Sequence, residues 1–304
     1  GLNPTVLGSA NVIMAFGNCT GGQPNTLLSF ANPSDAAAVL RSGDLLDAIN
    51  RMWNASQELP GASTIKVVRV DPATKSTRNL VDAGAVVLAT VTSKDWGAWT
   101  TGITVSVAAG TTSGKKITFA YAAGGVTEVF DNLASVAAAV AAINNPTTGS
   151  TLVDAAFVLE GTLDNFAAVS IPGGTDGTTT NTEWSNAFAL LDGDPADLYY
   201  PATSDASVLA LLVAQVNLTS TNKKGGIVIA GHALSQTAAQ VAASAAVYAA
   251  NPGRVVFASP GLKLFDASGT PTTYASYIST APEIAGIIAG LAIRCEARPP
   301  SPAA

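Results

Sequence analysis

Apolar and polar positions change period along this chain, and each change marks an element. Val6–Phe16 is an apolar run that predicts a buried strand, closed by Gly17 and the polar stretch Asn18–Asn25. Leu27–Phe30 has the length of a short strand or a turn. Asn32 or Ser34 is placed to cap a helix through Asp35–Leu40, with Pro33 just inside its start. Ser42 is placed to cap a second helix, Gly43–Ala55. In it Leu45, Leu46, Ile49, Met52 and Trp53 recur every three or four residues and so share one face. Ile65–Val70 is a β-branched run, read as a buried central strand.

After Asp71 the pattern shifts. Residues 72–80 are polar and linker-like, and from about 82 to 172 short β-patterned pieces dominate. Ile103, Val105 and Val107 alternate with Thr104 and Ser106, and Ile117, Phe119 and Tyr121 repeat that period of two. Gly110–Gly114 lies between the two runs and predicts a hairpin turn. Phe130–Ile143 predicts an Ala-rich helix capped by Asp131 or Asn132 and stopped at Asn144–Pro146. Phe157–Leu159 and Ala167–Ile171 predict further strands.

Beyond the Gly- and Thr-rich segment Gly173–Asn181 the rhythm becomes strand–helix again. Helices are expected over Glu183–Leu191, Asp205–Asn217, Ser235–Ala250 and Ile278–Leu291; strands over Leu198–Tyr200, Gly226–Ala230 and Val255–Ala258. Such alternation implies a largely parallel sheet covered on both faces. The fold class expected is therefore α/β: a discontinuous core domain (1–81 and 173–304) with an inserted, smaller β-rich α+β domain (82–172).

Composition narrows the picture. The chain has 304 residues, enough for one large or two ordinary domains. Charged residues make up only 12%, about half the usual share. The surface must then be covered largely by Ser, Thr, Asn, Gly and Ala, which are cheap to desolvate compared with ions. This fits a mildly charged soluble protein, and equally a subunit that buries much of its surface against copies of itself. The net charge is −6 with no basic run, which disfavours direct nucleic-acid binding. The apolar stretches Ala83–Val91 and Ile284–Ile293 are too short to span a bilayer, and Gly1–Pro4 opens no secretion signal. Cys19 and Cys295 are expected as buried free thiols, a single long-range disulfide being the alternative.

Candidate chemistry is sparse. His232 is the only histidine, so no Ser–His, Cys–His or multi-His metal site can draw on more than it. It follows a predicted strand, where doubly wound enzymes place ligands, and Ser259 closes another. Ser259 lies in Ala-Ser-Pro-Gly, which lacks the flanking glycines of a nucleophile elbow. Gly173–Gly177 fits neither phosphate-binding glycine motif and reads as a flexible crossing between domains. The pairs Asp44/Asp47 and Asp192/Asp194 read as solvated carboxylates, and Asp192–Asp197 lacks the spacing of a dedicated Ca²⁺ loop. Lys115–Lys116 and Lys223–Lys224 read as turn lysines. No catalytic, cofactor-binding or metal residue is assigned, and no cofactor is expected.

Several short blocks occur in a fixed order. They are Val39–Trp53, Gly61–Val70 with its I-x-V-x-R-V strand, Trp96–Val107, Glu128–Leu133 (EVFDNL), Gly173–Gly177 (GGTDG), Tyr200–Leu212, Asn251–Gly261, and the small-residue helix around Ala285–Ala292. The ordered set resembles the contractile tail sheath family of bacteriophages and phage-tail-like particles, with Thr101 or Gly102 where many members carry Asn.

The resemblance implies a structural, non-enzymatic subunit without cofactor. Its partners would be copies of itself in stacked rings, the tail tube, and baseplate or terminator proteins, with no direct nucleic acid and no membrane insertion. The subunit would polymerise around the tube and contract to drive it through a target envelope, with energy stored in two sets of interfaces. It would assemble in the bacterial host cytoplasm and reside in the virion tail. The family's C-terminal tube-facing domain is expected to be missing from a chain that stops at Ala304. An α/β enzyme or ligand-binding protein, with a site at the strand ends near His232 and Ser259, remains the alternative. Another phage structural protein, such as a tail tube or surface-layer module, is a weaker third.

Overall fold

The structure, a computed structural model, describes residues 12–56, 58–59, 61–221, 225–232, 236–248, 254–259, 262–263, 277–278 and 280–290. Its elements run in the order β1 (Ile13–Gly17), β2 (Leu27–Phe30), α1 (Pro33–Leu40), α2 (Asp44–Trp53), β3 (Ile65–Arg69), β4 (Thr77–Val81), β5 (Val87–Ser93), β6 (Ile103–Ala109), β7 (Lys115–Tyr121) and β8 (Val126–Leu133). There follow α3 (Val136–Ile143), β9 (Val153–Phe157), β10 (Phe166–Ser170), α4 (Asn181–Phe188), β11 (Leu198–Pro201), α5 (Ala206–Thr221), β12 (Ile227–Gly231), α6 (Ala238–Val247) and β13 (Val255–Ala258). A two-stranded pair, β14 (Leu262–Lys263) and β15 (Tyr277–Ile278), precedes α7 (Ala281–Gly290).

Six strands form one sheet in the order β13-β12-β11-β1-β3-β2. Five are parallel, and β2 closes one edge antiparallel to β3. Helices cover both faces, which explains why β1 reads as an unbroken apolar run. Ile13 and Ala15 point to one face, with Leu45 and Ile49 of α2 and Ala285 of α7. Met14 and Phe16 point to the other, with Trp184 and Phe188 of α4 and Leu212 of α5. All four β1 side chains are fully buried, and each large one contributes about 1.5–3 kcal/mol by leaving water.

Close approach of α2 and α7 requires a glycine. A Cβ on Gly286 would lie 2.2 Å from the Met52 carbonyl oxygen. The same seam is tied by Arg51, whose Nε and Nη2 donate to the two Glu283 oxygens at 2.5 and 2.6 Å.

The middle of the chain builds two antiparallel sheets, β10-β6-β7-β8 and β4-β5-β9. They enclose a third core with Val105, Val107, Ile117 and Phe119 from β6 and β7 and Val136 and Ile143 from α3. The β6–β7 hairpin turns at Gly110–Gly114, as the alternation predicts.

Several expectations shift. Residues 77–80, expected in a linker, are strand: β4 pairs antiparallel with β5. The helix expected from Phe130 begins only at Val136, capped by Ser135, and residues 130–133 belong to β8. Asp131 and Asn132 serve the neighbouring hairpin instead. Asp131 accepts from the Thr111 N–H at 3.0 Å and from the Thr111 hydroxyl, and Asn132 Oδ1 accepts from the Thr112 and Ser113 amides at 2.8 and 3.1 Å. A register shift in the β7–β8 ladder and a positive φ of 55° at Asn132 aim both side chains at that turn. Ser42 does not cap α2. Gly43 holds the cap position at φ 116°, and the Ser42 hydroxyl bonds that of Thr20 at 2.9 Å. The strand expected at Phe157–Leu159 lies earlier, at β9. Asn32 does cap α1, accepting from the Asp35 amide.

Residues 6–11 of the first predicted strand, Lys223–Lys224, Ser235, the stretch 251–253, Pro260–Gly261, Ala292 and Cys295 lie outside the described residues.

Candidate functional site

The chain crosses between the parallel sheet and the antiparallel sheets twice, near residues 70–77 and 171–178, and at this double crossing several sequence motifs meet. Arg69, the last residue of β3, is fully buried. In so sparsely charged a chain, a buried guanidinium needs acceptors on every side.

It has them from four segments. Nε donates to Asp71 Oδ2 at 2.7 Å, and Nη2 also bonds that carboxylate. Nη2 donates to Asp176 Oδ1 at 2.9 Å. Nη1 donates to the Gly22 carbonyl at 3.0 Å and the Trp96 carbonyl at 3.4 Å. Burial acts to lower the Arg69 pKa, but the hydrogen bond and charge of Asp71, with the charge of Asp176, hold it above its ordinary value. The node is thus a permanent cation gripped by two carboxylates.

Each carboxylate is bound in turn. Asp71 Oδ1 accepts from the Cys19 amide at 3.1 Å, and Asp176 Oδ1 from the Ala98 amide at 3.0 Å. Asp95 forms a second clasp beside the first. Its Oδ1 accepts from the Gly22 and Trp96 amides, both at 2.8 Å. Its Oδ2 accepts from Arg41 Nε at 3.3 Å and Trp99 Nε1 at 3.2 Å. The Arg41 guanidinium lies 3.3 Å from the Trp99 ring centroid, and Lys75 Nζ lies 4.0 Å from that of Trp96.

The two crossing segments are also joined to each other. The Thr74 amide donates to the Thr175 carbonyl and the Thr77 amide to the Pro172 carbonyl, both at 2.8 Å. The Gly97 amide donates to the Thr74 carbonyl at 3.0 Å. Two glycines make this packing possible. A Cβ on Gly97, whose φ is +112°, would meet the Thr20 carbonyl at 2.4 Å, and one on Gly174 would meet Thr100 Oγ1 at 2.2 Å. Gly173–Gly177, expected as a flexible crossing, is therefore a bonded part of the junction. Gly174 and Gly177 serve close approach, a Cβ on Gly177 meeting the Pro72 carbonyl at 2.8 Å.

An open crevice of about 450 Å³ adjoins the junction at the carboxyl ends of β1 and β3, lined by Asn18, Cys19, Asp44, Asp71 and Asp176 among others. The sheet reverses its strand order beside β1, the place where open α/β sheets bind ligands. Here Asp71 and Asp176 already face Arg69. Cys19 is buried, its Sγ donating to the Gly21 carbonyl at 3.2 Å, and burial pushes its pKa up to about 12, so the thiol stays protonated.

The other sequence candidates lie elsewhere. His232 and Ser259 follow the ends of β12 and β13 and line one open cleft of about 490 Å³. Its remaining walls are largely apolar: Val241, Ala242, Ala245 and Phe257. Among the described residues no three His, Cys, Asp or Glu side chains are grouped to hold a metal ion, and no helix is long and apolar enough to cross a membrane. Asp192 accepts from Gln215 and Thr219 at 3.2 and 3.1 Å, and Lys66 Nζ pairs with Asp194 at 2.6 Å.

The Arg69 node is absent from any reading of sequence periodicity. The one available signal was a charge closing an apolar strand.

Comparison with known proteins gives the junction a context. No family model matches the chain. It is 36% identical over 138 residues to a protein of Enterococcus phage phiEF24C assigned by name as a tail sheath protein, and 31% identical over 137 residues to the tail sheath protein of Staphylococcus phage Twort. Each match covers 45% of this chain but only 23% and 22% of the relative, so the chain matches less than a quarter of their length. Its fold is similar to that of a sheath tail protein from Desulfitobacterium hafniense, with a TM-score of 0.64 and 18% identity over 95% of this chain and 61% of that one. A sheath tail protein from Listeria innocua gives 0.60 and 15% over 93% and 56%. Over part of its length in sequence, and over most of it in fold, the chain is thus similar to phage tail sheath proteins.

Proposed function

We propose that this chain forms part of a structural subunit of a contractile tail sheath. Copies of the subunit stack around a tail tube, and their rearrangement drives the tube through a target cell envelope. The observation that carries this reading is the 36% identity to the phage protein over 138 residues. The fold likeness along 95% of the chain supports it. In this reading the partners are further copies of the chain, the tail tube and baseplate or terminator proteins, and the protein resides in the virion tail. Subunits that rearrange by exchanging contacts need no reactive centre.

The same reading divides the chain into a core domain built around the six-stranded sheet and an inserted domain built from the antiparallel sheets. In this reading the pairing of β4 with β5 supports a first boundary nearer residue 76 than residue 81.

Electron microscopy of the full-length protein tests the proposal. Tubes or stacked rings are the expected result, and their absence under all assembly conditions would count against it. A second reading, ligand binding at the cleft shared by His232 and Ser259, is favoured only by their position at strand ends. Small-molecule binding lost on His232→Ala would support that reading.

A further inference from the structure

Two separate sets of cores pose a mechanical question. The parallel sheet is held by the cores around β1, and the antiparallel sheets by the core around β6 and β7. Joined only by two peptide crossings, such bodies would open independently, as locally stable units commonly do. The Arg69 node lies between them. Its acceptors come from before β2 (Gly22), from the first crossing (Asp71), from the loop after β5 (Trp96) and from the second crossing (Asp176). The full set therefore comes together only when both sheet systems are folded and the chain has returned.

We propose that Arg69 is a coupling lock that makes the parallel-sheet body and the antiparallel body open as one cooperative unit. Opening the antiparallel body alone would strip Arg69 of the Trp96 carbonyl and Asp176 of the Ala98 amide, leaving a buried cation and one of its carboxylates short of partners. A buried group that loses its partner is strongly unfavourable, so partial opening is suppressed. Asp95 adds to the same barrier, because it joins the Gly22 and Trp96 amides to Arg41 across the junction. The inference concerns the internal mechanics of the chain and does not depend on the sheath reading. If that reading holds, force applied to either body reaches the other without loss through hinging.

Hydrogen exchange in increasing urea, read by mass spectrometry on the full-length protein, tests it. In the wild type the slowest amides of β1 and β3 and those of β6 and β7 are expected to share one opening, with protection equal within threefold and the same urea dependence. Arg69→Met is expected to split them by tenfold or more. Asp176→Asn, which keeps Asp71 in place, is expected to split them in the same direction by a smaller factor. Arg51→Met, which breaks an ion pair inside the parallel-sheet body, is expected to lower protection without splitting. The proposal is overturned if the wild type already shows two openings, or if Arg69→Met lowers both bodies equally. Should Arg69→Met not fold, Asp176→Asn decides, and an equal or absent effect there also overturns the proposal.

Discussion

Single residues at the junction set narrow tolerances. Arg69 and Asp71 are both buried and hydrogen-bonded, so removing either strands a charge. Arg69→Met is expected to cost about 3–5 kcal/mol, measured by equilibrium urea denaturation. A loss under 1 kcal/mol would mean that the ion pair is dispensable. Gly97→Ala combines a disfavoured φ with a clash against the Thr20 carbonyl, and it should destabilise by about 2 kcal/mol or more in the same assay. Cys19 gives a pH-dependent prediction. Its pKa rises from 9.0 to about 12 through burial, so the folded state binds the thiol proton more tightly than the unfolded state. The associated stability is complete below pH 9 and is lost as pH climbs toward 12. In a Cys295→Ser background, iodoacetamide at pH 8 should label folded Cys19 at least about a hundredfold more slowly than the urea-unfolded chain. Rapid labelling of the folded chain would contradict the burial.

At the scale of elements, the amphipathic and alternating patterns placed most helices and strands, while caps decided where they begin. Ser135 accepts from the Ala138 amide at 3.1 Å, so Ser135→Ala should cost about 1 kcal/mol, whereas Asp131→Ala should leave α3 intact and loosen the β6–β7 turn. Thermal unfolding, together with amide exchange of residues 111–113 and 136–139, separates the two outcomes. Asp131 looked like a cap because an acidic residue before an Ala-rich run satisfies the local rule. It is claimed instead by the amide and hydroxyl of Thr111, twenty residues earlier, a pairing fixed by sheet register. Residues 77–80 read as linker for a related reason. Their Thr-Arg-Asn sequence is polar, yet as an edge strand only Leu80 turns fully into the core.

For the whole molecule, exposed apolar positions matter more than charge. Phe157, Val158 and Leu159 follow one another at the end of β9, an edge strand, and each is about half exposed. Phe157→Ser should therefore leave the midpoint of unfolding within about 0.5 kcal/mol of the wild type, since it lies outside the buried core. The same substitution should reduce concentration-dependent light scattering, because it breaks a run that can pair with another chain. Unchanged scattering would show that this strand end makes no intermolecular contact.

The α/β class, the parallel run of β1 and β3, the β6–β7 hairpin and the ordered family motifs were all written in local periodicity and short residue order. Periodicity arises from neighbours along the chain, so a sequence can display it. The gathering of Arg69, Trp96 and Asp176 was not legible, nor was the use of Gly174 and Gly177 for close approach. These residues are 27 to 107 positions apart, and what joins them is the need of one buried cation for acceptors from every segment around it. That need exists only once both sheet systems have packed and water has left.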